Sequence, residues 1–310
     1  MKVIQIHATE QGISLAPSNA PQPLPADGEL LIRVCAAGVT PTELLWYPTT
    51  HTKEGGVRTD AVPGHEFSGT IAALGGGVTG FTVGDDVYGM NDWFASGATA
   101  EYCIARPEHI AGKPSILSHE AAATVPISSL TAWQGLISRA NIQPGERILV
   151  HGGAGAVGLF AVQIAKLHGA RVITTVSERN VDFVKGLGAD QVIDYKNSRF
   201  EDEVDPVDVV FDAVGGDTLN RSWGVLNPKG RLITIAADSE GTADQRVKDS
   251  FFIVEPNHEQ LVEIAEQLNA GRLKAFVGAA VSFEEAPAAY AGTVKGELGH
   301  GKVVVKIAED

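Results

Sequence analysis

One stretch of this chain constrains its fold more than any other. An apolar strand pattern, Arg147-Ile-Leu-Val-His151, is followed by the loop Gly153-Ala-Gly-Ala-Val-Gly158, and a helix pattern extends from 156 to 168. A strand, a glycine-rich turn and a helix in this order are typical of a doubly wound α/β sheet, whose ligand lies at the turn. The chain is therefore expected to contain a dinucleotide-binding fold.

The loop has the glycine spacing that a dinucleotide requires. Gly153 would permit the tight turn, Gly155 would let the backbone approach the pyrophosphate, and Gly158 would let helix and strand pack closely. Ala156 and Val157 lie at the helix N terminus, where free amides and the helix dipole favour phosphate. We predict that these five residues bind the cofactor. The competing interpretation is a plain glycine-rich turn between a strand and a helix.

Strand and helix patterns alternate along the middle of the chain. After 147–151, strand patterns occur at 171–176, 191–193, 207–211, 231–235 and 251–254, and helix patterns occur at 181–187, 218–226 and 258–269. Such alternation predicts a parallel sheet covered by helices on both faces. We expect an α/β protein whose doubly wound Rossmann domain has a six-stranded parallel sheet.

Both ends of the chain have a different sequence pattern, in which short strand patterns alternate with turns. Short strand patterns at 29–34, 69–74 and 86–89 are separated by glycine, proline and aspartate turns, which indicates a mostly antiparallel, barrel-like domain. Ser118 is placed to cap a helix near the point where this texture ends. Strand-and-turn texture returns after Gly271. We predict a discontinuous domain of residues 1–120 and 272–310, and an inserted nucleotide-binding domain of residues 121–271.

Composition excludes several classes of partner and of site. The formal net charge of −14 is unfavourable for binding nucleic acid or an anionic membrane. The two cysteines, Cys35 and Cys103, form no CxxC pair, which excludes a disulfide framework or a four-cysteine zinc site. No apolar stretch reaches the length of about 18 residues that suggests a membrane span. The N terminus lacks the apolar region of a signal peptide, so we expect a cytoplasmic protein.

The end of the second strand pattern indicates which cofactor is bound. An NAD site places a carboxylate there, whereas this chain has Ser177, followed by Glu178 and Arg179. Ser177 can donate a hydrogen bond to a phosphate and Arg179 can add charge-assisted bonds, which favours the 2′-phosphate of NADP. Glu178 could instead bind the ribose of NAD if the register shifts by one residue. Arg179 could also be no more than an exposed residue at a helix start.

Two further loops are expected to reach the cofactor, because ligands of this fold lie at the carboxyl ends of the strands. The loop after the fourth strand, Asp212-Ala-Val-Gly-Gly216, should bring Val214 near a ribose of the cofactor. The loop after the fifth strand, Ile235-Ala-Ala237, should bring Ala236 beside the nicotinamide.

Several further motifs carry a family resemblance that extends over nearly the whole chain. They are Ala37-Gly-Val-Thr-Pro41, Val62-Pro-Gly-His-Glu-Phe-Ser-Gly69, Gly80-Phe-Thr-Val-Gly-Asp-Asp-Val-Tyr-Gly89, Ala100-Glu-Tyr102, Leu130-Thr-Ala-Trp133 and Leu187-Gly-Ala-Asp190. With these motifs the chain resembles the medium-chain dehydrogenase/reductase superfamily, in its zinc-free quinone-oxidoreductase-like branch. The resemblance implies a GroES-like, mostly β catalytic domain, a Rossmann domain and a cofactor cleft between them.

Comparison with the zinc branch of that superfamily implies that this chain holds no metal. The first zinc ligand of that branch is a cysteine, where this sequence has Thr40. The second survives as His65, and the third should lie in Val125-Pro-Ile-Ser-Ser129, which contains no cysteine. One ligand of the three that catalytic zinc needs is too few. His65 and Glu66 are therefore interpreted as a turn that positions the backbone.

The resemblance also implies site residues. Thr40 corresponds to a position at which relatives often carry Asn facing the nicotinamide, so it could donate to a developing oxyanion. Tyr47 or Trp46 could line the acceptor pocket, with Trp93 and Phe94 opposite. The remaining cofactor contacts implied by the family are Thr131, Tyr195, Phe252 and Val254. Simple packing is the competing interpretation for each of these residues.

Departures from the family pattern leave the details of binding open. Relatives often carry Asp at Glu43, and many carry Lys where this chain has Val181. The strand at 251–254 is the sheet edge through which relatives dimerise, so a homodimer is expected.

Three functions compete at this point. Without a metal, reduction of an electrophilic acceptor is easier than oxidation of an alcohol. The leading hypothesis is an NADPH-dependent reductase that transfers hydride to a quinone or an α,β-unsaturated carbonyl. The alternatives are an enzyme like the zinc alcohol dehydrogenases and a cofactor-binding structural or regulatory protein with little turnover.

Overall fold

The computed structural model describes residues 1–9, 12–58, 61–294, 296 and 299–308. Its strands are β1 Lys2–Thr9, β2 Gly12–Asn19, β3 Leu30–Gly38, β4 Glu66–Leu74, β5 Asp86–Met90, β6 Tyr102–Ala105, β7 Ile110–Gly112, β8 Arg147–His151, β9 Arg171–Val176, β10 Gln191–Asp194, β11 Val207–Asp212, β12 Leu226–Thr234, β13 Val277–Val281 and β14 Lys302–Lys306.

The α-helices are α1 Tyr47–Thr50, α2 His119–Ala122, α3 Pro126–Trp133, α4 Gly158–Leu167, α5 Val181–Gly186, α6 Phe200–Glu203, α7 Gly216–Ser222, α8 Gln245–Ser250, α9 His258–Asn269 and α10 Ala286–Tyr290. Short 3₁₀ turns occur at Pro41–Leu45, Pro107–His109, Glu178–Asn180, Trp223–Val225, Ala237–Ser239 and Phe283–Glu285, and Gln134–Arg139 is π-helical. In the part of the chain that the structure describes, no helix has the length and apolar character that a bilayer crossing requires.

The chain divides into two compact units. The β-rich unit comprises Met1–Ile127 and Pro256–Asp310, and the α/β unit comprises Ser128–Glu255. The α/β unit was expected to comprise 121–271, and its observed end differs because α9 lies in the β-rich unit. The side chain of His258, the first residue of α9, bonds the carbonyl of Ile110 in β7 at 2.6 Å, and Tyr88 in β5 donates to the Leu261 carbonyl at 2.6 Å.

The β-rich unit is built mostly from antiparallel strands. A sheet has the order β13-β14-β3-β4-β5-β7, with β6 also paired to β3, and β1 and β2 form a separate hairpin. Only β13 and β14 run parallel among the described pairs of this unit. β3 is buried over nearly its whole length, and its residues Leu30, Ile32 and Val34 pack with Phe67 and Ile71 of β4 in the core. This agrees with the expected GroES-like architecture.

The α/β unit contains a parallel sheet in the order β10-β9-β8-β11-β12. The chain order reverses between β8 and β11, which is the switch point of a doubly wound fold. The two strands pair in register, with Asp212 opposite His151. Eight of the ten residues of α4, from Gly158 to Ala165, are buried, so this helix lies deep in the unit.

The expected sixth strand, 251–254, is absent from the described sheet, which has five strands. Phe251 makes one isolated parallel bridge to Thr234 of β12. Directly after this segment, the Gln134 side chain bonds both backbone groups of Glu255. Gln134 donates to the Glu255 carbonyl at 2.7 Å and accepts from its amide at 3.1 Å.

Candidate functional site: the glycine loop and a buried polar cluster

The three glycines of the loop after β8 are required for two different reasons. A Cβ added to Gly153 would collide with the Thr174 hydroxyl oxygen, and a Cβ added to Gly158 would collide with the Gly152 carbonyl. A Cβ added to Gly155 would meet only that carbonyl among the described residues, at 3.2 Å, and Gly155 is exposed. Packing therefore demands the first and third glycines, whereas the second keeps a surface open to a ligand.

The loop also presents the N terminus of α4. Gly155 donates to the Gly152 carbonyl at 2.9 Å, and Leu159 donates to the Gly155 carbonyl at 3.0 Å, which joins the turn to the helix. The N-cap residue is Val157, whose apolar side chain cannot satisfy the first amides of the helix. Amides at a helix end that lack a side-chain cap are suited to an anionic ligand. The loop thus fits the pyrophosphate of a dinucleotide.

The residues expected to choose the cofactor lie at the next strand ends. Ser177 follows β9 directly and is half-buried, and Arg179 is exposed in the adjoining 3₁₀ turn. Glu178 is exposed beside it. Tyr195 follows β10, is 59% exposed, and donates its amide to the Val176 carbonyl at 3.2 Å. Because β8, β9 and β10 are parallel neighbours, these residues share the sheet edge at which the glycine loop lies.

A buried carboxylate shapes the loop after β11. Asp212 accepts hydrogen bonds from the Val214 and Gly215 amides at 3.1 Å and from the Thr234 hydroxyl at 2.8 Å. Burial raises the pKa of Asp212, although these hydrogen bonds favour the carboxylate. The turn that Asp212 holds leaves the side chain of Val214 half exposed, at 53%.

This loop contacts its neighbours on both sides. A Cβ added to Gly152 would lie 3.4 Å from Val214 Cγ2, so Val214 adjoins the glycine loop. A Cβ added to Gly215 would lie 2.7 Å from the Cβ of Ala236, and the Asp238 carboxylate accepts from the Gly216 amide at 2.9 Å. The structure therefore brings Val214 and Ala236 together with the glycine loop at one edge of the sheet.

Three other expected cofactor contacts are buried in the α/β unit. Thr131 lies in α3 and is 5% exposed, and Phe252 and Val254 are 5% and 6% exposed. The Arg139 guanidinium lies 4.6 Å from the centre of the Phe252 ring. Since the side chains of Phe252 and Val254 face the interior, a contact from this segment to a ligand would have to come from its backbone.

Thr40, the expected polar residue of the β-rich unit, has an unusual hydroxyl. Its carbonyl accepts from the Glu43 amide at 3.0 Å and so begins the turn Pro41–Leu45. Its hydroxyl oxygen is buried and finds no hydrogen-bond partner within the described residues. Buried hydroxyls of native proteins are nearly always bonded, so this group is suited to a bond with a bound ligand.

Three residues after Thr40, Glu43 forms a buried pair with His65. The Glu43 carboxylate accepts from the Gly64 amide at 2.6 Å, and its second oxygen lies 3.2 Å from His65 Nδ1. His65 Nε2 lies 3.1 Å from the Trp93 carbonyl. Both side chains of the pair are 1% exposed. Both ring nitrogens of His65 are therefore engaged, and the pair ties together three loops of the β-rich unit.

A buried pair of a carboxylate and an ammonium lies in the same unit. The Glu66 carboxylate pairs with the Lys302 ammonium of β14 and accepts from the Ile127 amide at 3.0 Å. Burial lowers the pKa of Lys302, whereas the carboxylate of Glu43 acts in the opposite direction. The expected role of His65 and Glu66 as a turn was incomplete, because both side chains are buried partners of other charged groups.

The aromatic residues near Thr40 form one cluster. The rings of Trp46 and Trp93 meet edge to face at 4.9 Å, and His65 lies 5.2 Å from Trp93. Tyr47 is 53% exposed and stacks on His51 at 4.3 Å. The expectation that Trp46 and Trp93 lie on opposite sides of a pocket is therefore corrected, since they touch.

Sequence reasoning missed the structural roles of Glu43, Asp212 and Lys302. Two of them had a visible signal. Glu43 is an acidic residue directly before the apolar run 44–47, and Asp212 follows the apolar run 209–211 at the end of its strand. Lys302 had none, because its partner Glu66 is 236 residues away in the chain.

Comparison with known proteins agrees with this architecture. Residues 26–116 match the alcohol dehydrogenase GroES-like domain family, and residues 187–305 match the zinc-binding dehydrogenase family. A curated relative from Arthroderma benhamiae, a probable mitochondrial zinc-binding oxidoreductase, is 33% identical over 95% of this chain and 93% of its own length.

Two solved structures superpose on nearly the whole chain. The quinone oxidoreductase from Coxiella burnetii has a TM-score of 0.87 at 30% identity and covers 99% of both chains. A mycobacterial protein in complex with NADPH has a TM-score of 0.81 at 30% identity, over 99% of this chain and 100% of that one.

Proposed function

Because the chain belongs to the medium-chain dehydrogenase/reductase superfamily, in its quinone-oxidoreductase-like branch, we propose that it is an NADPH-dependent reductase of quinones or α,β-unsaturated carbonyls that works without a metal. Its relatives identify it as an oxidoreductase that uses a nicotinamide cofactor. The observation that carries the proposal is the glycine loop, where packing requires two glycines and the third keeps the backbone open.

The α/β unit would hold the cofactor through backbone and side chains at one sheet edge. Amides of Ala156 and Val157 would bind the pyrophosphate, supported by the helix dipole of α4, while the Gly155 amide closes the turn on the Gly152 carbonyl. Val214 would lie beside a ribose of the cofactor, and Ala236 would lie beside its nicotinamide. When bound, NADPH supplies the hydride that reduces the acceptor.

The preference for NADPH rests on Ser177 and Arg179. A guanidinium and a hydroxyl at the end of β9 would bind the 2′-phosphate, which NADH lacks. Glu178, exposed in the same turn, would weaken rather than abolish this preference through charge repulsion.

On the acceptor side, Thr40 is the residue we assign to the chemistry. Its buried hydroxyl, without a protein partner among the described residues, would donate to the oxygen that gains negative charge as the acceptor is reduced. Tyr47, half exposed and stacked on His51, would contribute to the wall of the acceptor pocket.

The residues at the family's zinc position do not fit a catalytic zinc ion. Thr40 replaces a cysteine, and both ring nitrogens of His65 are already hydrogen-bonded, to Glu43 and to the Trp93 carbonyl. Zinc would need a free imidazole nitrogen and two further ligands. The alternative of a zinc enzyme, suggested by the name of the relative from Arthroderma benhamiae, requires about one zinc per chain in purified protein.

The test of the function is NADPH oxidation with a panel of quinones and enones, run beside NADH. We expect turnover with at least one acceptor class and a preference for NADPH. If NADPH binds tightly but no acceptor accelerates its oxidation, the protein is a cofactor-binding protein of little turnover instead of a reductase.

Replacing Arg179 tests the cofactor preference. Arg179→Ala should raise the KM for NADPH about 10- to 150-fold while leaving the KM for NADH nearly unchanged, because a charge-assisted phosphate bond contributes about 1.5–3 kcal/mol. Arg171→Ala, at the opposite end of β9 and also exposed, is the matched control and should change neither constant. Equal changes for NADPH and NADH would contradict the assignment.

Two further predictions concern the protein in the cell. We propose a homodimer that pairs through the segment 251–254, where Ile253 is 51% exposed beside the isolated bridge of Phe251. Sedimentation at micromolar concentration would detect it. The cytoplasmic location stays a prediction that cell fractionation can check.

A further inference from the structure

A chain of buried hydrogen bonds lies directly beneath the glycine loop. His151, the last residue of β8, is fully buried, with Nδ1 3.1 Å from the Thr175 hydroxyl and Nε2 3.0 Å from the Ser222 hydroxyl. The Gly152 amide donates to the Thr175 hydroxyl oxygen at 3.4 Å. At the other end, the Ser222 hydroxyl donates to the Thr218 carbonyl at 2.7 Å.

The direction of every bond in this chain follows from its last one. Because the single proton of the Ser222 hydroxyl goes to a carbonyl, its oxygen must accept from His151, which places a proton on Nε2. In the neutral ring Nδ1 is then an acceptor, so the Thr175 hydroxyl donates to it. The Thr175 oxygen remains free to accept from the Gly152 amide. Each donor thus meets one acceptor, and such chains strengthen cooperatively.

The imidazole of His151 stays neutral at physiological pH. Burial lowers the pKa of His151 to about 3; the Arg221 guanidinium acts in the same direction and the Glu201 carboxylate against it. The ring also meets the Phe200 ring edge to face at 4.6 Å. The hydrogen-bond chain is therefore a fixed element of the structure and does not switch in the physiological pH range.

The chain of hydrogen bonds joins the two loops that flank the proposed cofactor. Gly152 opens the glycine loop after β8, whereas Thr218 and Ser222 belong to α7. That helix begins at Gly216, directly after the loop that carries Val214. The side chain of Val214 in turn adjoins Gly152. The two loops are thus linked twice, once at the surface by Val214 and once in the interior by His151.

The polarity of position 151 has no packing reason. The strand residues before it, Ile148, Leu149 and Val150, are fully buried and apolar, and leucine would suit such a site. Burying an imidazole costs desolvation free energy, which its hydrogen bonds must offset. The presence of His151 at this apolar site therefore indicates that its hydrogen bonds have a role.

We propose that His151 is a positioning residue for the cofactor, which fixes the glycine loop against α7 so that the loop amides face the pyrophosphate. This inference rests on the proposed function, namely on NADPH binding at the glycine loop. His151 itself touches no substrate in this assignment.

Titration of the full-length protein with NADPH, followed by fluorescence, tests the proposal. His151→Leu should raise the Kd for NADPH about tenfold, because hydrogen bonds at both ends of the imidazole are lost. The kcat at saturating NADPH and the KM for the acceptor should change less than about twofold. Ser222→Ala, which breaks only the far end of the chain, should raise the Kd about two- to threefold.

Controls separate positioning from simple destabilisation. His151→Asn keeps an acceptor for the Thr175 hydroxyl and should recover part of the lost affinity. Ile193→Ala, in the buried part of β10 and outside the hydrogen-bond chain, should lower the Tm without changing the Kd. If Ile193→Ala weakens NADPH binding as much as His151→Leu does at a comparable Tm, the effect is structural and the proposal is overturned.

The outcomes also distinguish this inference from the proposed function. Wild-type protein that fails to bind NADPH would overturn the proposed function and this inference together. Wild-type binding with an unchanged Kd in His151→Leu would overturn the inference alone. If His151→Leu does not fold, the milder Ser222→Ala decides, and an unchanged Kd in that variant overturns the proposal.

Discussion

The glycine loop of the α/β unit and the Thr40–Glu43–His65 cluster of the β-rich unit are built in opposite ways. The loop is a backbone site, in which six consecutive residues from Gly153 to Gly158 supply the surface. The cluster is a side-chain site, in which Glu43 meets His65 22 residues away and His65 meets Trp93 28 residues away. A backbone site tolerates almost no added atom, whereas a side-chain site depends on every partner being present.

The largest effect is expected at the glycine loop, where two glycines should respond differently. Gly158→Ala places a methyl group against the Gly152 carbonyl, which as backbone cannot move aside. We expect the Kd for NADPH to rise on the order of 100-fold, together with a lower Tm, because a displaced loop misplaces every amide.

Gly155→Ala is the matched comparison. Its Cβ would lie 3.2 Å from the Gly152 carbonyl oxygen, a contact that a shift of a few tenths of an ångström relieves, so the Tm should fall less than in Gly158→Ala while the Kd for NADPH still rises. Thermal unfolding and NADPH titration of both variants provide the measurement. A large drop in Tm for Gly155→Ala would show that the second glycine serves packing and not the ligand.

The side-chain cluster should lose stability when one partner is removed. Glu43→Ala leaves the Gly64 amide and the His65 imidazole without their buried acceptor. We expect the free energy of unfolding to fall by about 3 kcal/mol, as measured by urea denaturation. Glu54→Ala, an exposed glutamate on the same stretch of chain, should change it by less than about 0.5 kcal/mol. If the Glu43→Ala variant is as stable as wild type, the cluster does not stabilise the fold.

The smallest effect is expected at Thr40. Thr40→Val keeps the shape but removes the hydroxyl, so kcat should fall up to about tenfold with little change in the KM for NADPH. Stability should stay equal or rise slightly, because a buried hydroxyl without a protein partner in the described structure is lost. Thr42→Val, exposed in the same turn, is the control. An unchanged kcat would exclude Thr40 from the chemistry.

Sequence periodicity located several elements of both units closely. β8, β9 and α9 have the bounds that the patterns predicted, and Ser118 caps α2 by accepting from the Ala121 amide at 3.3 Å. These elements obey local rules, namely a run of apolar residues, a 3.6-residue repeat and a capping side chain. Such signals lie within a few adjacent residues.

The predictions that were wrong concern segments whose contacts come from residues far away in the sequence. The pattern at 251–254 is strand-like, but in the structure only Phe251 bridges to β12, and the next backbone groups along the chain, those of Glu255, bond the Gln134 side chain. The bounds of helix α9 were predicted correctly, but the helix was assigned to the wrong unit. An amphipathic repeat predicts that one face of a helix is buried, but it does not identify the element against which that face packs.

The sequence by itself determined the α/β alternation, the glycine loop and the family, because each is written in short stretches of adjacent residues. Only the tertiary structure decided that Gly155 is the least crowded of the three loop glycines, that both nitrogens of His65 have partners, and that His151 links the glycine loop to α7. The physical reason is that hydrogen bonds between buried side chains depend on which strands and loops come together. That information is set by the packing of the whole unit and leaves no local pattern in the chain.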